Sequence, residues 1–140
     1  MRTFNQDLEF GMKGEGIIQS KLSSHFSKMG KITNTKELYN NPYHKYDYEA
    51  EDGTTFELKT RRVKKNQYPT TIIPSAKIIK NASHKQFFIF SFIDGVYSIE
   101  YNKELFDSFQ VRDVEVFRYG RQDLPTPHIH IPVKYLQEMK

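Results

Sequence analysis

The sequence predicts a mixed α/β layer fold, with a mixed, mostly antiparallel central sheet flanked by helices. Three observations carry that expectation. A helical apolar stripe opens the chain, two hairpin signals follow it, and a run of aromatic and β-branched residues, Phe87 to Ile93, lies in its second half. Segments of helical and of strand-like period interspersed along one chain indicate helices packed on a sheet. At 140 residues the chain is one domain's worth, 1–140, and can bury a core without staples.

The first element is a helix predicted from about Asp7 to Met29. Ile18, Leu22, Phe26 and Met29 recur at spacings of four, four and three, with Ile17 beside them, and Gly30 is a plausible stop. Residues 31–35 read as a short strand and Asn40-Asn41-Pro42 as a turn. Tyr46–Ala50 and Thr55–Lys59 alternate around Asp52-Gly53, which predicts a β-hairpin. Residues 60–85 carry no clear period; Pro69 and Pro74 punctuate them, and Ala76–Lys80 fits strand or helix. Phe87–Ile93 reads as a central strand, turned by Asp94-Gly95 into Val96–Tyr101. Asn102 caps a short helix through Phe109, and Val111–Tyr119 is a further strand. Pro125 and Pro127 predict an open turn, His128–Ile131 a last strand, and Val133 onward a terminal helix.

Composition narrows the function. There is no cysteine, which excludes a disulfide framework, a thiolate nucleophile and a thiolate metal site. The longest apolar run, Phe87–Ile93, is far shorter than the roughly 20 residues that span a bilayer, and Met1–Asp7 has no apolar signal core. A cytoplasmic protein is expected, in a host cell if the chain is encoded by a phage or virus. The net charge is +4, but it is segregated. From Leu58 to Ile93 there is no Asp or Glu, while Lys59, Arg61, Arg62, Lys64, Lys65, Lys77, Lys80 and Lys85 give +8. Such a tract is an electrostatic footprint for nucleic acid, and Arg61, Arg62, Lys64, Lys65 and Lys77 are the candidate phosphate-binding residues.

The hairpin carries the chemistry. Strand alternation puts Phe56 and Leu58 on one face and Glu57 and Lys59 on the other. A two-residue loop would set Asp47 opposite Leu58. A three-residue loop, Glu51-Asp52-Gly53, sets Asp47 opposite Glu57 and gives Gly53 the left-handed bulge position; this register is preferred. Directly opposed β positions have Cβ atoms about 4.5–5.5 Å apart, and two carboxylates that close repel unless a cation sits between them. A hard divalent ion suits such oxygens. Beside a lysine and a basic tract, a metal held by Asp47 and Glu57 points to phosphodiester hydrolysis, with Lys59 orienting water and offsetting developing charge.

Asp47, ten residues before Glu57-Leu58-Lys59, and Glu15 in Gly11-Met12-Lys13-Gly14-Glu15-Gly16 together resemble the PD-(D/E)XK nuclease superfamily over about the first 60 residues. The layout is similar to that of the small archaeal and phage Holliday-junction resolvases, with Tyr46 where many members have proline. The resemblance implies a restriction-endonuclease-like core and hydrolysis of DNA with one or two Mg²⁺ or Mn²⁺ ions. It implies that Glu15, Asp47, Glu57 and the Leu58 carbonyl hold metal, and that Lys59 acts on the water and the transition state. DNA is then the expected partner, with no membrane and no small-molecule cofactor, and two-strand cleavage would favour a homodimer. A silent nucleic-acid-binding domain of the same fold, an RNA endonuclease and an interaction protein with a basic face are the competing readings.

An acidic-x-lysine triplet alone carries no weight, since Glu138-Met139-Lys140 is a second one; the conjunction of helix Glu, hairpin Asp and basic tract does. An EF-hand fails in frame, because a loop begun at Asp47 puts Asp52 at the obligatory glycine and Leu58 at the bidentate glutamate. His44 is a further candidate metal neighbour. His128 and His130, alternating on a strand, lack a third ligand, and Ser24-His25 and Ser83-His84 are mere neighbours.

Overall fold

The computed structural model describes residues 16–41, 46–79, 83–115, 117–118, 121–122 and 124–139. The predicted helix start at Asp7, together with Glu15 and His44, lies outside them. Helix α1 covers residues 16–25. Its Ile18, Leu22 and Phe26 are buried at the predicted four-residue spacing, but Ile17 is 57% exposed and does not share that face. A 3-10 turn, Ser27–Met29, leads to Gly30, whose φ of 86° ends the helix. A side chain at Gly30 would also collide with Glu51, whose Cβ lies 2.8 Å from the place of the missing Cβ.

Two main sheets follow. The larger has six strands in the order β1(Ile32–Asn34), β2(Tyr48–Ala50), β3(Thr55–Thr60), β5(Gln86–Phe92), β6(Gly95–Glu100), β11(Gln137–Glu138). All its pairs are antiparallel except β3 with β5. The smaller sheet runs β4(Thr70–Pro74), β10(Thr126–Pro132), β7(Gln110–Val114), and β8(Phe117–Arg118) pairs with β9(Arg121–Gln122). The short helices α2(Thr35–Leu38) and α3(Lys103–Asp107) connect strands. The mixed, mostly antiparallel sheet is therefore the observed one.

Strand β5 divides the interior. Its Phe87 and Ile89 join Ile18, Leu22, Phe26 and Phe56 in one cluster under α1. Its Phe88, Phe90 and Phe92 join Ile73, Ile129 and Ile131 of the small sheet in a second. Period-two alternation thus gives one strand a side chain for each of two cores. The layers are helix, large sheet, small sheet.

Among the described residues helices do not flank both faces, because two segments turn out to be β. The uncertain stretch 60–85 contains β4, which pairs with β10 more than fifty residues later. The expected terminal helix is a 3-10 turn, Val133–Tyr135, followed by β11. Pro127 belongs to β10 instead of an open turn. It has a strand partner only on the β7 side, and Pro132 only on the β4 side. A residue without an N–H is tolerated in a strand where one neighbour is absent. The second hairpin turns at Ile93-Asp94, one residue earlier than expected, since Gly95 already pairs with Phe92. Asn102 caps α3 as predicted, its side chain accepting from Leu105 N–H.

Candidate metal and nucleic-acid site

The hairpin register decides whether Asp47 can meet Glu57. Tyr48 pairs with Phe56 and Glu49 with Thr55, the preferred register, but the paired stretch ends at Tyr48, so Asp47 lies just before β2 without a strand pairing to Glu57, near enough for its charge to act on that carboxyl. The loop is the three-residue one: Ala50 N–H donates to Thr54 O at 2.9 Å, and Gly53 has φ 92°. Asp47 is held by its backbone from both sides. Thr35 N–H donates to its carbonyl at 2.9 Å, and its own N–H donates to Phe56 O at 3.0 Å. Its Oδ2 accepts the Leu58 N–H at 2.8 Å, which draws the carboxylate onto β3.

Glu57 and Lys59 share the face of β3 that looks toward the small sheet, since Phe56 and Leu58 belong to the α1 core. Glu57 is only 4% exposed. Its Oε1 lies 3.5 Å from Lys59 Nζ and 3.3 Å from Lys77 Nζ. Burial first, then the charge of Asp47, raises the Glu57 carboxyl above its usual value, against the pull of Lys59 and Lys77. Burial lowers Lys59, the partner Glu57 opposes that, and the charges of Lys77 and Arg61 add to the lowering. An acid pushed up beside a base pushed down is the pattern of residues brought together for chemistry, although structural ion pairs show it too.

Lys77 enters from outside the hairpin. It stands in the 3-10 turn Ser75–Lys77 that follows β4. Buried Gln86 pins that segment: its Nε2 donates to Lys77 O at 2.7 Å and its Oε1 accepts from Ile79 N–H at 3.2 Å. The sequence marked Lys77 only as a candidate phosphate ligand. Its approach to Glu57 had no local signal, because it depends on how β4 folds back.

The basic tract divides. Arg61 continues β3, its N–H donating to Ser91 O at 2.8 Å. Its Nη2 donates to Ile72 O at 2.6 Å and its Nε to Thr71 Oγ1 at 3.5 Å, so its guanidinium ties the two sheets together. Burial lowers its pKa. Lys65 sets its Nζ 4.9 Å from the centre of the Tyr97 ring. Arg62 and Lys64 line a cavity of about 470 Å³ with Lys59, Arg61 and Lys65. Neither Asp47 nor Glu57 is part of its lining; the cavity reaches the carboxylates only through Lys59.

Tyr39 and Tyr46 donate their hydroxyls to Glu49 at 2.7–2.8 Å. Burial, then the bond to Glu49, raises the Tyr46 phenol. Among the described residues no three His, Asp or Glu side chains gather to hold a metal ion. Asp47 and Glu57 supply two carboxylates, and Glu15, the third expected ligand, lies outside the described residues. Carboxylate oxygens such as these two are the donors a hard divalent cation takes. His128 and His130 both stand on β10; His128 Nδ1 is 2.9 Å from Thr126 O, and His130 Nε2 is buried without a partner.

No protein-family model, no curated protein and no solved structure matches the chain. Among the described residues no helix is long and apolar enough to cross a membrane.

Proposed function

We propose that the chain is a metal-dependent nuclease of the PD-(D/E)XK type that hydrolyses phosphodiester bonds of DNA. The observation that supports this best is the buried Glu57 with the charge of Asp47 acting on it and Lys59 at its side, next to a basic cavity. Asp47, Glu57, the Leu58 carbonyl and Glu15 would hold one or two Mg²⁺ or Mn²⁺ ions. When bound, such an ion polarises the phosphate and makes a bound water more acidic. Asp47, tied to Leu58 N–H, keeps its carboxylate against β3. Lys59 offers its ammonium to the attacked phosphate and orients the water. Lys77 offsets the charge of Glu57 while no ion is bound. Arg62 and Lys64 hold the backbone; Arg61 holds the sheets together and so shapes the groove.

The test incubates the protein with linear, supercoiled, branched and single-stranded DNA, and with RNA, in Mg²⁺, Mn²⁺ or EDTA. Cleavage of DNA in the metal ions and none in EDTA is expected. Equal products from wild type and Asp47→Asn would sink the reading. A silent binding domain is the second reading, favoured by the two lysines that already neutralise Glu57. It requires binding without cleavage under every condition.

A further inference from the structure

The cavity beside Lys59 has a composition that selects its ligand. Five of its lining residues, Lys59, Arg61, Arg62, Lys64 and Lys65, are cationic, and none of the rest is Asp or Glu. With them the lining includes Val63, Tyr68, Ile72, Pro74 and Phe92, which are apolar or aromatic. Tyr68 is 56% exposed, so its ring is accessible from solvent. A lining that combines cations with apolar and aromatic side chains fits an anion attached to a flat, apolar-faced body. A volume of about 470 Å³ lies within the roughly 300–1,000 Å³ of small-molecule sites.

We propose that this cavity binds a single unpaired nucleotide, its base on Tyr68 and its phosphate among Arg62, Lys64 and Lys59. The inference rests on the nuclease reading for its consequence: Lys59 belongs both to the cavity and to the Glu57 pair, so the bound nucleotide adjoins the phosphate to be cut. The substrate class is then DNA with an unpaired nucleotide next to the cleavage point, such as an overhang, a flap or a single strand. Arg61 contributes the wall rather than a phosphate contact, because its guanidinium is bonded to β4. Base stacking on an exposed ring tolerates any sequence, since every base has a π-face.

The experiment measures binding in EDTA, so that cleavage plays no part. A blunt duplex and the same duplex with a three-nucleotide overhang at either end are titrated by fluorescence anisotropy. Wild type is expected to prefer an overhang. Tyr68→Ala should weaken overhang binding about 5- to 150-fold, the scale of one base on one ring, and leave blunt binding unchanged. Tyr68→Phe keeps the ring and should keep the preference. Lys64→Gln should weaken overhang binding more than blunt binding, since the phosphate it holds belongs to the unpaired nucleotide. Thymidine 5′-monophosphate is added as competitor. Displacement of the overhang at millimolar concentration places a free nucleotide in the cavity, and none, with Tyr68 dependence intact, assigns the cavity to a strand end. Overturning results are an equal loss on both duplexes in Tyr68→Ala, no loss on either, or no DNA binding by wild type. Tyr68-dependent binding without metal-dependent cleavage would leave the cavity standing and remove the nuclease reading; cleavage indifferent to Tyr68 would do the reverse.

Discussion

Asp47 has a structural contact and an electrostatic one that a single substitution separates. Its Oδ2 accepts the Leu58 N–H, and its charge raises Glu57. Asp47→Asn keeps an acceptor and removes the charge. The metal-free protein should melt at the same temperature or higher in EDTA, while plasmid nicking in Mg²⁺ is lost. Lys59→Met should slow cleavage by roughly 10²–10³-fold, the scale of one lost transition-state donor, which single-turnover rates would read. Removing Lys59 and Lys77 together leaves Glu57 buried without a cation. That should cost about 3 kcal/mol in urea denaturation, and adding Glu57→Gln should return most of it. His130 tests burial away from the site. Burial, then the charges of Arg112 and His128, lowers its pKa in the folded protein. The unfolded chain therefore takes up the proton first. The stability this histidine contributes is present above its unfolded value of about 6.5 and is lost as pH falls through the lowered folded value. Between about pH 7 and 5 the urea midpoint of wild type should drop more than that of His130→Gln.

At the scale of elements, the hairpin and the crossover behave differently. Gly53 has φ 92°, and a Cβ there would lie 2.7 Å from the exposed His84 ring, which can move aside. Gly53→Ala should cost about 1–2 kcal/mol of left-handed strain, visible as a lower melting temperature. Gln86→Leu removes a buried amide that bonds both Lys77 O and Ile79 N–H. Two backbone groups lose their partners at about 1–3 kcal/mol each, and Lys77 loses its anchor, so both stability and cleavage should fall. These elements also mark where sequence reasoning works. The hairpin was legible because alternation, Asp52-Gly53 and the register all lie within fourteen residues. The central strand was legible because Phe87–Phe92 is aromatic on both faces. The β4 segment was not, since its partner β10 is remote and its prolines argue for a loop. The same remoteness hid the approach of Lys77 to Glu57 and the use of Arg61 as a tie between sheets. The terminal segment showed apolar residues at a spacing that a 3-10 turn and a two-residue strand satisfy as well as a helix does.

Across the whole molecule, charge segregation becomes geometry. The acid-free tract supplies β3's end, all of the cavity's lining except His128, and the turn that brings Lys77 to the site, while the acidic surplus lies elsewhere in the chain. Binding should therefore depend on salt through a few residues. Each phosphate contact on duplex DNA contributes about 0.9 to the slope of log affinity against log salt. On a duplex with an overhang, Arg62→Gln with Lys64→Gln should reduce that slope by up to about 1.8, with little dependence on base sequence. Arg61 is left out of this pair because its loss would loosen the sheets. A titration series at several salt concentrations checks it, and an unchanged slope would mean that these cations only solubilise the surface.

Strand β5 serves both interiors with adjacent residues, and this makes the chain's tolerance of length change uneven. One residue inserted before Phe87 would send every side chain of that strand to the opposite core. Phe88 would arrive where Ile89 packs, Ile89 where Phe90 packs, and Ser91 where Phe92 packs. Both interiors would fail together, with no neighbour able to compensate. Descendants of this chain can therefore drift in length in the connections between sheets but not along this one strand, and comparison of future homologues should find their gaps distributed accordingly.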